Sequence, residues 1–158
     1  MTPADPLPTA VEGVTVRPLA QIADERGRVM RMLRPDDPEF EQFGEIYFSV
    51  VHPGVVKGWH RHRVMALNYA VVEGTIKLVV VDARAGSPTL GCIQELFLGT
   101  GNYALAHIPP GVWNGFKGTG GGPAVVANCA THPHDPGEIE RLDPFDNDLK
   151  YDWSLRHG

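Results

Sequence analysis

Residues 54–74 read Gly54-Val-Val-Lys57-Gly-Trp-His60-Arg-His62-Arg-Val64-Met-Ala-Leu-Asn-Tyr69-Ala-Val-Val-Glu73-Gly74. Two strand-like runs, Gly54 to Trp59 and Val64 to Val72, flank a His-x-His pair. Glu73-Gly74 then breaks the second run before a third begins at Thr75. Successive side chains on a strand point to opposite faces, so His60 and His62 share one face. Two imidazoles facing into a barrel are a ready pair for metal binding or proton transfer. At a strand end on the surface they are two solvated histidines.

The same texture runs outward in both directions. Glu45 to Val51, Thr75 to Asp82, Cys92 to Leu98, Tyr103 to Ile108 and Ala124 to Ala130 read as further strands. They are separated by Pro53-Gly54, Gly86-Ser-Pro88, Gly99-Thr-Gly101, Pro109-Pro-Gly111 and Gly118 to Gly122. Short strands at this spacing predict an antiparallel sandwich or barrel. Upstream, Val14 to Leu19 and Arg28 to Leu33 are strand candidates around the Asp24-Glu-Arg-Gly27 turn. Asp36 to Phe43 predicts a short helical turn, and the acidic tail Glu138 to Trp153 another. Residues 1–13 are Pro-rich and read as a flexible arm; residues 14–158 read as one domain. The glycine run at 118–122 lacks the Lys-Ser/Thr of a phosphate-binding loop.

Composition narrows the classes. Gly and Pro number 18 and 14 of 158 residues, well above a background of about 12%. That excess argues against a helix bundle or coiled coil. Net charge is −5 with no Lys/Arg run, which argues against nucleic acid as a partner. The longest apolar runs are too short for a membrane helix. The N-terminus has neither a basic nor an apolar signal region, and Cys92 and Cys129 stand alone. Both features predict a cytoplasmic protein with reduced thiols.

The spacing from His60 to Gly74 resembles the first motif of the cupin family, whose fold is an all-β double-stranded β-helix, or jelly roll. Ile108-Pro-Pro-Gly111-Val-Trp-Asn114 resembles the second motif. Metal-binding cupins place ligands near Leu67 and at Asn114. Leucine cannot ligate and an amide suits a transition metal poorly, so no metal or other cofactor is expected.

A closer likeness is to the dTDP-4-dehydrorhamnose 3,5-epimerase family, metal-independent cupins that act on nucleotide-linked 4-keto sugars. Five blocks carry it in order: Asp24-Glu-Arg26-Gly27; Gly54-Val-Val-Lys57-Gly-Trp-His60; Asp82-Ala-Arg84 to Gly91; Asn102 to Phe116; and Asp146-Asn-Asp-Leu149-Lys-Tyr-Asp-Trp153. The resemblance implies removal of a proton α to a ketone by His60, with Asp146 as its paired carboxylate. It also implies that Lys57 lies near the sugar and that Arg26 contacts the nucleotide, across a dimer interface through a swapped N-terminal arm. A homodimer bound to a nucleotide sugar is the implied assembly. Asn114 and Asn128 stand where the family has a histidine and a proton-donating tyrosine, which leaves them as substrate-binding residues. Asparagine exchanges no proton at neutral pH. Tyr47, Tyr69 and Tyr103 remain as alternative hydroxyls.

Lys57-Gly-Trp-His60-Arg-His62 is also similar to the R-G-x-H-A-H of sugar 3,4-ketoisomerases, which would make both His60 and His62 catalytic. A non-catalytic sugar-nucleotide binder is the third alternative.

Overall fold

The computed structural model describes residues 4–156. Thirteen strands build it: β1 (Leu7–Pro8), β2 (Thr15–Pro18), β3 (Gln21–Asp24), β4 (Gly27–Met30), β5 (Glu45–Val51), β6 (Val56–His62), β7 (Leu67–Glu73), β8 (Thr75–Val81), β9 (Ile93–Gly99), β10 (Ala104–Ile108), β11 (Trp113–Gly118), β12 (Ala124–Ala130) and β13 (Ile139–Arg141). One sheet runs β1-β2-β10-β7-β12-β5 and faces a second running β13-β6-β11-β8-β9; β3 and β4 form a separate hairpin. The strand pairs are antiparallel. This is the all-β jelly roll expected from the sequence.

The alternation of apolar residues explains the packing. Leu67, Tyr69 and Val71 of β7 meet Ile76, Leu78 and Val80 of β8, with Ile108, Phe116 and Val126, in the core between the sheets. From Leu78 to Val81 β8 is apolar on both faces. Val79 and Val81 therefore point outward, into a second cluster with Trp59, Trp113 and Trp153. Leu142, Leu149 and Tyr151 of the tail cover that cluster. Leaving such a face in water would cost about 25 cal/mol per Å² of apolar surface, which is why the tail wraps it. The corner that carries the chain from β7 into the other sheet is Gly74, at φ 74°. A Cβ there would lie 2.6 Å from the Pro123 carbonyl oxygen, so only glycine fits.

Three expectations need correction or detail. No helix occurs among the described residues. At Asp36 to Phe43 the chain makes reverse turns, Asp37 N–H to the Arg34 carbonyl and Phe40 N–H to that of Asp37. Pro38 supplies no N–H to extend them into a helix. In the tail the helical turn is replaced by side-chain turns. Asp143 Oδ1 accepts from the N–H groups of Phe145 and Asp146, and Asn147 Oδ1 from those of Leu149 and Lys150. Such local bonds compete directly with helix formation.

Residues 1–3 of the expected arm lie outside the described residues. Further on, the arm is docked: Leu7 and Pro8 pair with Val16 and Thr15, and Val11 is buried in the core. Arg84 Nη2 donates to the Glu12 carbonyl at 2.6 Å, while Asp82 holds Arg84, Ser87 and Thr89 in place beneath it.

Candidate active site

A cavity of about 450 Å³ opens between the sheets at one end. Glu45, Tyr47 and Ser49 line it from β5, Tyr69 from β7 and Asn128 from β12. Lys57, His60 and His62 face them from β6, with Arg141 from β13. A second cavity, about 670 Å³, lies beneath the β3–β4 hairpin. It has arginines and Asp37 but no imidazole or phenol among its lining residues.

Lys57 and His60 are three apart, so a regular strand would send them to opposite faces. A bulge resolves this. Asn114 pairs with His60 and Phe116 with Lys57, so β6 fits three residues' spacing where β11 uses two. The close approach is permitted by glycines on both strands: a Cβ on Gly58 would sit 3.1 Å from the Gly115 Cα. Trp59 is thereby turned to the outer cluster, fully buried.

His60 is largely removed from water. Burial first, then the positive potential of Arg141, His62 and Lys57, lowers its pKa from 6.5 to about 4. It is therefore neutral at physiological pH, the state a general base requires. His62 is arranged differently. Its Nδ1 is hydrogen-bonded to Glu138 Oε1, and Glu138 Oε2 accepts from the backbone N–H groups of Arg63, Val64 and Met65. Burial works against the Glu138 charge, but His62 and the N–H groups of Val64 and Met65 outweigh it and hold its pKa below the ordinary value. An ionised carboxylate can only accept, so His62 donates to it through Nδ1.

The cavity concentrates positive charge at one side. Lys57 Nζ donates to Ser49 Oγ at 2.9 Å. Arg141 lies beside His60, its strand partner. On the other side of β13, Glu140 pairs with Arg61 and Arg63, so the alternation sends Glu140 outward and Arg141 inward.

Of the expected site residues, the structure brings together His60, His62, Lys57 and Asn128. Asn114 does not line the cavity; it is 1% exposed and bridges the His60 carbonyl to the Tyr69 hydroxyl. Asp146 is not brought to His60. It sits exposed in the Asp143–Asn147 turn, because the tail is drawn over the outer cluster. Arg26 is at the exposed tip of β3–β4, paired with Asp24 at 2.6 Å. Tyr103 also lies elsewhere, its hydroxyl buried without a partner. Sequence reading missed Arg141 and Glu138. Glu138-Ile-Glu-Arg141 holds a single apolar residue within an acidic tail, so no local pattern marks it as a strand. Among the described residues no three His, Cys, Asp or Glu side chains gather as a metal-binding group.

A jelly roll whose inter-sheet cavity joins a neutral, half-buried imidazole to cations and phenols has the groups that acid–base chemistry requires. That places the protein among the cupin-fold acid–base enzymes. The family model described as dTDP-4-dehydrorhamnose 3,5-epimerase matches residues 8–157, and the chain belongs to that family. It is an enzyme of the nucleotide-sugar epimerase type. The chain is 37% identical over 155 residues to the probable low-salt glycan biosynthesis epimerase Agl13 of Haloferax volcanii, covering 94% of this chain and 98% of that protein. It is 47% identical to the crystal structure of a dTDP sugar isomerase from Desulfovibrio desulfuricans, with a TM-score of 0.91 over 93% of this chain and 94% of that one. NovW, a 4-keto-6-deoxy sugar epimerase of Streptomyces spheroides, is 27% identical with a TM-score of 0.84, covering 98% of this chain and 83% of its own.

Proposed function

We propose that the cavity epimerises a nucleotide-linked 4-keto-deoxysugar, with His60 as the general base. The observation that carries this is the neutral, half-buried imidazole of His60 beside Lys57 and Arg141. A C–H bond next to a ketone is acidic enough for such a base once the enolate oxygen is stabilised. Lys57 and Arg141, the lysine and the arginine that line the cavity, supply that stabilisation or hold the diphosphate. His62, oriented by Glu138, and Asn128 complete the polar lining. The dTDP-linked ligands named for related structures support a thymidine diphosphate sugar as the substrate.

The protein works as a homodimer in this reading, and the exposed β3–β4 hairpin carries Arg26 to the partner's nucleotide. Ile22 and Val29 of that hairpin are exposed apolar residues that such a contact would cover. Incubation with dTDP-4-keto-6-deoxyglucose in deuterated water should place deuterium at C3 or C5. A panel of nucleotide 4-keto sugars with no incorporation would overturn the assignment.

A second reading follows from the His62–Glu138 pair. Two imidazoles on one face, one of them backed by a carboxylate, suit a 3,4-ketoisomerase. Product NMR separates the two, since a ketoisomerase moves the carbonyl and an epimerase does not.

A further inference from the structure

Inversion at carbon needs a proton removed on one face of the sugar ring and another delivered on the opposite face. His60 stands in the wall made by β6. The facing wall, made by β5, β7 and β12, presents two phenols to the cavity, Tyr47 and Tyr69. Their hydrogen bonds are not equivalent.

The backbone N–H of Asn68 can only donate, and it donates to Asn128 Oδ1 at 3.1 Å. That fixes the Asn128 amide, so Nδ2 is the atom facing Tyr47, 2.9 Å from its hydroxyl oxygen. The Tyr47 oxygen is thus an acceptor here, and its own hydrogen stays free for a ligand. The Asn114 amide is fixed by the same logic with the opposite result. The His60 carbonyl can only accept, and it takes Asn114 Nδ2 at 3.2 Å. Asn114 Oδ1 is left for Tyr69, whose hydroxyl donates to it at 3.2 Å. The Tyr69 hydrogen is therefore already engaged. Burial also pushes the Tyr69 hydroxyl far above the ordinary phenol range, whereas Tyr47 is 39% exposed.

We propose that Tyr47 is the catalytic acid that delivers a proton to the ring face opposite His60, with Asn128 as its positioning residue. The inference rests on the epimerase reading of this cavity. In the step, His60 takes the proton α to the ketone, and the C–H electron pair becomes the enolate. The enolate carbon then forms a new C–H bond to the Tyr47 hydrogen on the other face as the enolate oxygen returns to carbonyl. His60 is left protonated and Tyr47 a phenolate, stabilised by the Asn128 N–H. Both reset by proton exchange with water. Tyr47 and Asn128 sit directly opposite each other in the β5–β12 ladder, so the phenol reaches the cavity from β5 although β12 carries an amide.

The test uses Tyr47→Phe, Tyr47→Gln and His60→Asn with dTDP-4-keto-6-deoxyglucose in deuterated water, following deuterium uptake and product configuration separately by NMR. Wild type should exchange and invert. Both Tyr47 variants should still exchange on the His60 side while inversion falls by about a hundredfold or more; His60→Asn should lose both. A folded Tyr47 variant that inverts at the wild-type rate overturns the proposal, as does one that loses exchange and inversion together. A wild-type protein with no exchange overturns the epimerase reading instead.

Discussion

The Glu138 carboxylate holds His62 through Nδ1 and, with its second oxygen, gathers the backbone N–H groups of Arg63, Val64 and Met65. One buried side chain thus orients an imidazole and closes the turn that follows β6. In Glu138→Gln an amide NH₂ would face donors that need an acceptor. Leaving such groups unsatisfied costs about 1–3 kcal/mol, so urea unfolding should show a loss of that size at neutral pH. Because the Glu138 pKa is lowered in the fold, its contribution is present above the ordinary carboxylate value and disappears as pH falls through the folded one. The gap between wild type and Glu138→Gln should therefore close in acid. A gap that stays constant from neutral to strongly acidic pH would contradict this.

The acid limb of kcat/KM is expected near pH 4, the value to which burial and the neighbouring cations bring His60, and not near 6.5. Stability follows the same group. Below about 6.5 the unfolded chain takes up a proton that folded His60 refuses until about 4, so stability falls across that window. His60→Asn should flatten that part of the pH–stability curve. Arg141→Leu removes a cation beside the ring, so the limb should move to higher pH. The same change should lower the rate by about a hundredfold if Arg141 stabilises developing negative charge. An unmoved limb in Arg141→Leu would show that its charge does not reach His60.

The jelly roll was legible because its strands are short, apolar and punctuated by Gly and Pro. Glu45–Val51 and Ala124–Ala130 have the bounds that their alternation predicts. β11 escaped notice because its Asn114-Gly115 centre lacks strand-forming side chains; pairing to β6 and β8 decides it. His60, His62 and Lys57 could be found because they sit together in one run. Arg141 comes from β13 and Glu138 from the turn just before it, more than seventy residues away, and the pairing of that segment with β6 brings them in. Asp146 failed as a partner for His60 for a reason no local pattern holds. The tail's course is set by Leu142, Leu149, Tyr151 and Trp153 seeking the outer apolar face.

Gly115→Ala tests the bulge that sets the site. A Cβ at Gly115 would lie 3.2 Å from each of the Gly58 Cα, the Lys57 carbonyl oxygen and Trp153 Cζ2. Two of the three are backbone atoms with little freedom to move, so β6 and β11 must separate. Overpacking of this kind costs about 1–3 kcal/mol. Activity should fall further than the folded fraction does, because the separation displaces both Lys57 and His60. A variant with wild-type kinetics and a lowered Tm would show that the bulge serves stability alone.

Trp153 packs against Trp59 with ring centroids 4.9 Å apart and receives Lys77 Nζ at 5.8 Å from its ring. Its carbonyl accepts from Lys117 Nζ at 2.9 Å. It is thus the point at which the tail is fastened to the outer face of β6, β8 and β11. Trp153→Ala would open a cavity beneath Tyr151 and expose Trp59, a change that costs about 3–5 kcal/mol for a buried tryptophan. Chemical denaturation should show that loss, with Trp59 emission shifted to longer wavelength in the folded state. Hydrogen exchange should rise along β13 as well, because the Leu142 N–H and carbonyl pair with Trp59 on β6 and release of the tail frees them. Protection of β13 unchanged in a destabilised Trp153→Ala protein would mean that the strand carrying Arg141 is held independently of the tail.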